Sequence, residues 1–241
     1  MRLLLVRHGE STGNADPNVY GGGDRYVGLT KEGRRQQRGT HDFLMHFYVE
    51  NPYEGRTYPQ AIDISTYKRA RQSARLCTHS FRKNPDIVFE YDEALREQSF
   101  GLLYRMHGVC DAELSARIAL SKAAYKASPF EAVPPDGESP AMHYARTLPY
   151  VERIRREGVA GGIVDRQIVA HGASNRHIMT NFLGLPPNAW KHIQNQNNGD
   201  VSLLEDKGQG FTLRKIYDGP TGQRVDIDPV IRNLFLPVPM P

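Results

Sequence analysis

The sequence predicts an α/β fold, a three-layer sandwich in which a mostly parallel central sheet carries helices on both faces and an inserted helical lid. Three observations predict it. Short apolar runs suited to strands recur along the chain, stretches with helical spacing and start signals lie between them, and two of the strand-like runs end in the same His-Gly pair. Strands that alternate with helices favour a parallel sheet covered on both faces, and runs apolar throughout favour strands buried on both sides. Residues 1–241 read as a single domain, the usual outcome for a chain of this length without a linker or a repeat.

The predicted strands are 2–6, 61–65, 87–90, 167–170, 201–205 and 211–216, the last two suited to an antiparallel edge. The predicted helices are 31–48 with Thr30 as N-cap, 68–81, 111–126, 139–156 and 175–183. Three stretches read as loops: 14–28 with its Gly21-Gly22-Gly23 run, 128–137 with three prolines, and the Pro-rich end from Pro220, which reads as a C-terminal tail over 220–241. The stretch 98–135 reads as an inserted, mostly helical lid, because residues needed at the site bracket it.

Composition excludes several classes. Apolar residues 3–6 give way at once to Arg7, His8 and Glu10, far short of the roughly 20 needed to span a membrane, and nothing reads as a signal peptide. Cys77 and Cys110 have no paired spacing, so a reducing cytoplasm is the expected location. The densest basic run, 31–38, is broken by Glu32 and Gly33 and holds no aromatic residue for base stacking, so no nucleic-acid partner is expected. Metal and nucleotide motifs are missing too: there is no His-Glu-x-x-His, no paired-Cys spacing and no Gly-Lys-Ser/Thr loop, which predicts an enzyme without metal or cofactor. No motif speaks to oligomeric state, and a homodimer stays open.

The chemistry-bearing residues cluster at strand ends. Leu3-Leu4-Leu5-Val6-Arg7-His8-Gly9 is a buried strand that stops in a charged pair and a glycine, and Ile168-Val169-Ala170-His171-Gly172 repeats the pattern. Ligands of open parallel sheets bind at the carboxyl ends of strands, so both imidazoles would face one crevice if the two strands are neighbours. A glycine after each histidine, Gly9 and Gly172, would let a ligand approach the backbone. A third strand turns into a helix at 65–74, with Arg69 in the first turn, where N–H groups and the helix dipole already favour phosphate and where an arginine fork can grip two oxygens. Arg71 and Arg75 read as a solvated helix face.

Arg7-His8-Gly9-Glu10-Ser11-x-x-Asn14, Arg69-Ala70 and His171-Gly172 together resemble the signature of the histidine phosphatase superfamily, in its phosphoglycerate-mutase-like branch. The resemblance runs from residue 1 to about 206 and takes in Leu29-Thr30-x-x-Gly33-x-x-Gln36, Leu95-Arg96-Glu97-Gln98-Ser99-Phe100-Gly101, Gly137-Glu138-Ser139 and Asn198-Gly199-Asp200-Val201. It implies that His8 is phosphorylated, that Arg7, Arg69 and His171 bind the phosphoryl group, that Glu97 is acid and base, and that Ser11, Asn14 and Gly172 help hold substrate. In one branch of the superfamily an Asp after the second His donates the proton. Gly172 stands there, so the acid comes from elsewhere, with Glu97 first choice and Glu138 second. Thr66-Tyr67 departs from the common Pro-Leu, and residues 102–106 lack the Asn-Glu-Arg-His-Tyr-Gly run of glycolytic mutases.

The resemblance thus implies a metal-independent phosphomonoesterase acting on a small phosphorylated metabolite. A phosphoglycerate-mutase-type transfer and an inactive phospho-ligand or protein-binding module are the alternatives.

Overall fold

The structure, a computed structural model, describes residues 1–16, 19, 24–101 and 112–229. The strands are β1 (Arg2–Arg7), β2 (Ala61–Ser65), β3 (Val88–Asp92), β4 (Asp165–Ala170), β5 (Val201–Asp206), β6 (Phe211–Asp218) and β7 (Gln223–Ile227). The helices are α1 (Thr12–Ala15), α2 (Lys31–Glu50), α3 (Lys68–Cys77), α4 (Ala112–Ala127), α5 (Pro140–Val159) and α6 (Gly172–Phe182). All seven strands form one sheet in the order β3-β2-β4-β1-β5-β6-β7. Its β3-β2-β4-β1 half is parallel and β5, β6 and β7 pair antiparallel, which is the α/β sandwich with an antiparallel edge expected from the sequence.

β1 lies at the centre, so it must be apolar on both faces. Leu3 and Leu5 point into one core with Ile168, Tyr150, Val151, Ile154 and Ile178 under α5 and α6. Leu4 and Val6 point into the other with Ile62, Ile64, Val169, Leu44 and Tyr48 under α2 and α3. Burying a side chain of this size contributes about 1.5–3 kcal/mol, so these two layers fix the sheet and with it the ends of its strands.

Four expectations are corrected. β4 begins at Asp165, two residues earlier than its apolar run: Arg166 is fully buried but bonds Asp63 of neighbouring β2 at 2.6 Å, and Asp165 bonds Arg2 at 2.6 Å, so paired charges occupy strand positions that hydrophobicity alone does not recognise. α6 begins at Gly172 rather than 175, with His171 as its N-cap. α3 ends at Cys77, and a separate 3-10 turn, Ser80–Lys83, follows. The segment after Pro220 is not all tail. Residues 223–227 form edge strand β7, whose Arg224 pairs with Glu50 at 2.6 Å; 230–241 lie outside the described residues.

Of the expected lid, residues 102–111 lie outside the described residues and α4 supplies its helix. The chain leaves and re-enters the body at one narrow place. Gly101 has φ +54°, and a Cβ there would sit 2.0 Å from the Pro135 carbonyl oxygen; one on Gly137 would sit 2.6 Å from the Ser99 oxygen. The Glu138 N–H donates to the Ser99 carbonyl at 2.7 Å, closing the neck.

Candidate active site

β1 and β4 run parallel with Arg7 opposite Ala170, so the next residues, His8 and His171, emerge side by side at the carboxyl ends. Their ring centroids are 5.0 Å apart. β2 borders β4 on its other side, and its terminal Ser65 hydroxyl is hydrogen-bonded to His171 Nε2 at 2.8 Å. The strands are therefore neighbours, as the shared-crevice reading requires.

The partners of His8 fix its tautomer. Its Nδ1–H donates to the Gly9 carbonyl at 2.7 Å, an oxygen that can only accept. The Arg69 Nε–H donates to its Nε2 at 3.2 Å, a nitrogen that must then carry a lone pair. Burial, and then the charges of Arg69 and Arg7, hold the imidazolium form well below the usual histidine range. His8 is thus a buried, neutral imidazole whose Nε2 lone pair faces a guanidinium.

Arg69 is delivered by the first turn of α3, whose N-cap Tyr67 makes no side-chain cap. Its Nη1 reaches the Asp24 carbonyl at 3.0 Å and the Asp24 carboxylate at 2.5 Å, and its guanidinium lies 5.2 Å from the Tyr67 ring centroid. Tyr67 also meets His171 edge-on at 5.4 Å. The Arg7 guanidinium is held by the Gln196 carbonyl. Burial first, then the charges of Arg69, His8 and Arg7, holds His171 well below the ordinary range as well.

Glu97 joins this group from the loop after β3. Its carboxylate accepts from the N–H of Gln98 at 3.0 Å and of Ala173, in the first turn of α6, at 3.2 Å. Burial pushes its pKa up, and the charges of Arg69 and Arg7 act on it in the opposite direction, which places it within their field. Glu138 sits differently. Both of its oxygens are engaged by Arg146, at 2.9 and 3.0 Å, and one accepts from the Ser99 N–H at 3.1 Å. Burial alone would raise its pKa, but the Arg146 bonds outweigh it and leave Glu138 below the ordinary value. Of the two carboxyls, Glu97 is the one inclined to hold a proton.

Ser11 and Asn14 form a capping box on α1: the Asn14 N–H donates to Ser11 Oγ at 3.2 Å and the Ser11 N–H to Asn14 Oδ1 at 3.0 Å. Asn198 Nδ2 ties the box to the site by donating both to Asn14 Oδ1 and to the His8 carbonyl, each at 3.1 Å. The two glycines also let other parts of the chain pack closely against the strand ends. A Cβ on Gly9 would lie 2.2 Å from the Gly33 carbonyl oxygen, and one on Gly172 would lie 2.6 Å from Asn195 Oδ1. The space beside each missing Cβ is taken by α2 at Gly9 and by Asn195 at Gly172.

Sequence reasoning did not assign Ser65, Asp24 or Gln196 to the site, and it took Asn198 only as part of the run 198–201 without a role. Ser65 carried a signal, since it ends a strand as Arg7 and Ala170 do. The amide run at 194–198 was a second signal. Asp24 had none.

The chain matches the histidine phosphatase superfamily, branch 1, over residues 3–219. It belongs to that superfamily. The chain is 27% identical over 219 residues to the phosphoglycerate mutase-like protein AT74 of Arabidopsis thaliana, covering 87% of the chain and 66% of that relative, so it spans just under two thirds of the longer protein. Its fold resembles the α-ribazole phosphatase of Shigella flexneri, with TM-score 0.69, 23% identity and coverage of 89% and 95%. It also resembles the mycobacterial glucosyl-3-phosphoglycerate phosphatase in complex with inorganic phosphate, with TM-score 0.63, 22% identity and coverage of 90% and 96%. Among the described residues no helix is long and apolar enough to cross a membrane, and no group of three or more His, Cys, Asp or Glu side chains is arranged to hold a metal ion.

Proposed function

We propose that the protein is a phosphomonoesterase that hydrolyses a small phosphorylated metabolite through a phosphohistidine on His8, without a metal. One observation carries the reading: the Gly9 carbonyl and the Arg69 N–H leave Nε2 of His8 as an unprotonated nucleophile beside a guanidinium. Nε2 attacks phosphorus, the P–O ester bond breaks, and the leaving alkoxide takes a proton from Glu97. Water then attacks phosphorus, gives its proton to the Glu97 carboxylate, and the N–P bond breaks to release phosphate. Splitting one transfer into two lowers each barrier. Arg7, Arg69 and His171 stabilise charge on the equatorial oxygens, the work a metal pair does in other phosphoryl-transfer sites.

The phosphatase names of the Shigella and mycobacterial neighbours support hydrolysis over mutase transfer, as do residues 102–106, which lack the mutase run. The binding-module reading finds no support in a site whose nucleophile, cations and acid all stand together.

The test is a quench of enzyme mixed with p-nitrophenyl phosphate, followed by mass spectrometry for an acid-labile phosphoryl adduct, alongside phosphate release from a panel of alkyl phosphates. The adduct should map to His8, and His8→Ala should lose it together with nearly all turnover. Near-normal turnover in His8→Ala would refute the mechanism, and interconversion of 3- and 2-phosphoglycerate faster than phosphate release would reverse the ranking in favour of a mutase.

A further inference from the structure

The carboxyl of Glu97 is held by no described side chain. Its hydrogen bonds come from two backbone N–H groups, one of them from its own neighbour Gln98. Where that carboxyl sits therefore depends on the first turn of α6, which supplies the Ala173 N–H, and on the backbone of residues 93–99, a loop that a proton donor cannot leave free. Within a site, a misplacement of about 1 Å can cost on the order of 10² in rate.

One side chain of α5 grips that loop. Arg146 Nη1 donates to the carbonyls of Glu93 at 3.3 Å and Ala94 at 2.9 Å, and its Nη2 donates to those of Arg96 and Glu97, each at 3.3 Å. Its Nε and Nη2 also hold Glu138, whose Oε2 takes the Ser99 N–H at 3.1 Å. The Arg96 carbonyl receives two further donors, Ser174 Oγ at 2.7 Å and the Nε2–H of buried His143 at 3.1 Å. The stretch on both sides of Glu97 is thus tied to one ion pair. A lysine in place of Arg146 could not replace it, since a point charge with three donors cannot span four carbonyls and a carboxylate in fixed geometry.

We infer that the Arg146–Glu138 pair is a positioning clamp for the proton donor of the proposed reaction: it fixes the 93–99 loop so that the Glu97 carboxyl meets the leaving-group oxygen, and it touches neither phosphate nor nucleophile. This rests on the phosphohistidine reading above. Glu138 in this account is an anchor and not a second acid. Its charge compensates that of Arg146, so the loop is held by a cation that is not set against a protonated Glu97, whose field comes from Arg69 and Arg7.

The experiment compares the unaltered protein with Arg146→Gln, Arg146→Lys, Glu97→Gln and the double variant Arg146→Gln/Glu97→Gln, each checked for an unchanged melting transition. Two substrates report separately. The pre-steady-state burst of nitrophenol from p-nitrophenyl phosphate reads formation of the phosphoenzyme, whose leaving group needs no proton. Turnover of glycerol 2-phosphate reads the step that does. General acid catalysis supplies about 10² to 10⁴, so a displaced acid should lose part of it. Arg146→Gln should lower kcat on glycerol 2-phosphate at least tenfold with KM within about threefold, while the burst rate stays within about twofold. Arg146→Lys should recover little. In the double variant the loss should be no greater than in Glu97→Gln alone, since one group acts through the other. Equal losses on both substrates, additive losses in the double variant, or no loss at all would overturn the clamp. If neither the unaltered protein nor Glu97→Gln, whose hydrolysis step lacks its base, gave a burst or a phosphoryl adduct on His8, the phosphohistidine reading and the clamp would fall together, whereas an adduct with a non-selective Arg146→Gln overturns the clamp alone.

Discussion

Arg69→Gln is the most informative single change outside the nucleophile, because two effects of known sign meet there. The Nε–H of Arg69 lies 3.2 Å from Nε2 of His8, the proposed nucleophile, so phosphorus bonded to that nitrogen would place its equatorial oxygens within reach of the same guanidinium. Removing one preorganised donor to developing oxyanion charge typically costs about 2.7–4 kcal/mol, or 10² to 10³ in kcat. A unit charge acting over about 4 Å at an effective dielectric near 20 gives about 4 kcal/mol, which agrees. The second effect concerns protons. After burial, Arg69 is the largest cause holding the pKa of His8 down. Without that charge the imidazole keeps its proton to higher pH, and a protonated Nε2 has no lone pair to donate. The acid limb of kcat/KM, which reports the free enzyme, should therefore move to higher pH while the plateau falls by 10² to 10³. The assay is a pH series of kcat/KM on p-nitrophenyl phosphate for the unaltered protein, Arg69→Gln and Arg69→Lys, with urea denaturation to check the fold. Arg69→Lys should retain more of the pH profile than of the rate, since it keeps charge but loses the fork. A loss under fivefold in Arg69→Gln, or an acid limb displaced to lower pH, would refute the reasoning.

Three further predictions follow from the same geometry. On an alkyl phosphate the proton donor must be protonated, so kcat/KM should fall as pH rises through the raised pKa of Glu97; Glu97→Gln should abolish that basic limb and slow the alkyl ester by about 10² to 10⁴, while the burst from p-nitrophenyl phosphate persists, and an unchanged basic limb would assign it to another group. Exhaustive chelation and assay without added metal should leave the rate within about twofold, and loss of most activity restored by one ion would show that arginines alone do not do the charge work. Gly33→Ala should destabilise by about 1–3 kcal/mol in urea denaturation even though alanine is the better helix former, because its Cβ would lie 2.0 Å from the Glu10 carbonyl oxygen; a rise in stability would mean that the β1–α2 contact yields easily.

Much of this was legible in the sequence because position along a strand becomes position in space. Two runs that end in His-Gly after an apolar stretch pointed to two buried strands, and the register that sets Arg7 opposite Ala170 makes those strands neighbours. Arg69 was legible for a similar reason, standing one residue inside a helix that follows a strand. What could not be read is whatever depends on partners distant in the chain. Arg166 looks like a strand breaker until Asp63 is placed beside it, 103 residues away. Asp24, which orients Arg69 from 45 residues away, belongs to a stretch that reads only as loop. The motifs put Glu97 ahead of Glu138 as the acid but gave no physical reason for the order. What separates them is that Arg146 engages one and only backbone N–H groups engage the other.

The neck at Gly101 and Gly137 bears on how such a protein can change. A segment whose two ends already touch can be lengthened or exchanged at an entropic cost that grows only logarithmically, roughly 0.6 kcal/mol for each doubling. The residues proposed to carry the reaction, Arg7, His8, Arg69, Glu97 and His171, all lie outside that segment. Mutation can thus vary the segment between residues 102 and 134 while the residues at the strand ends stay where the sheet put them, and a graft of a foreign segment at the two glycines would test whether it selects the substrate.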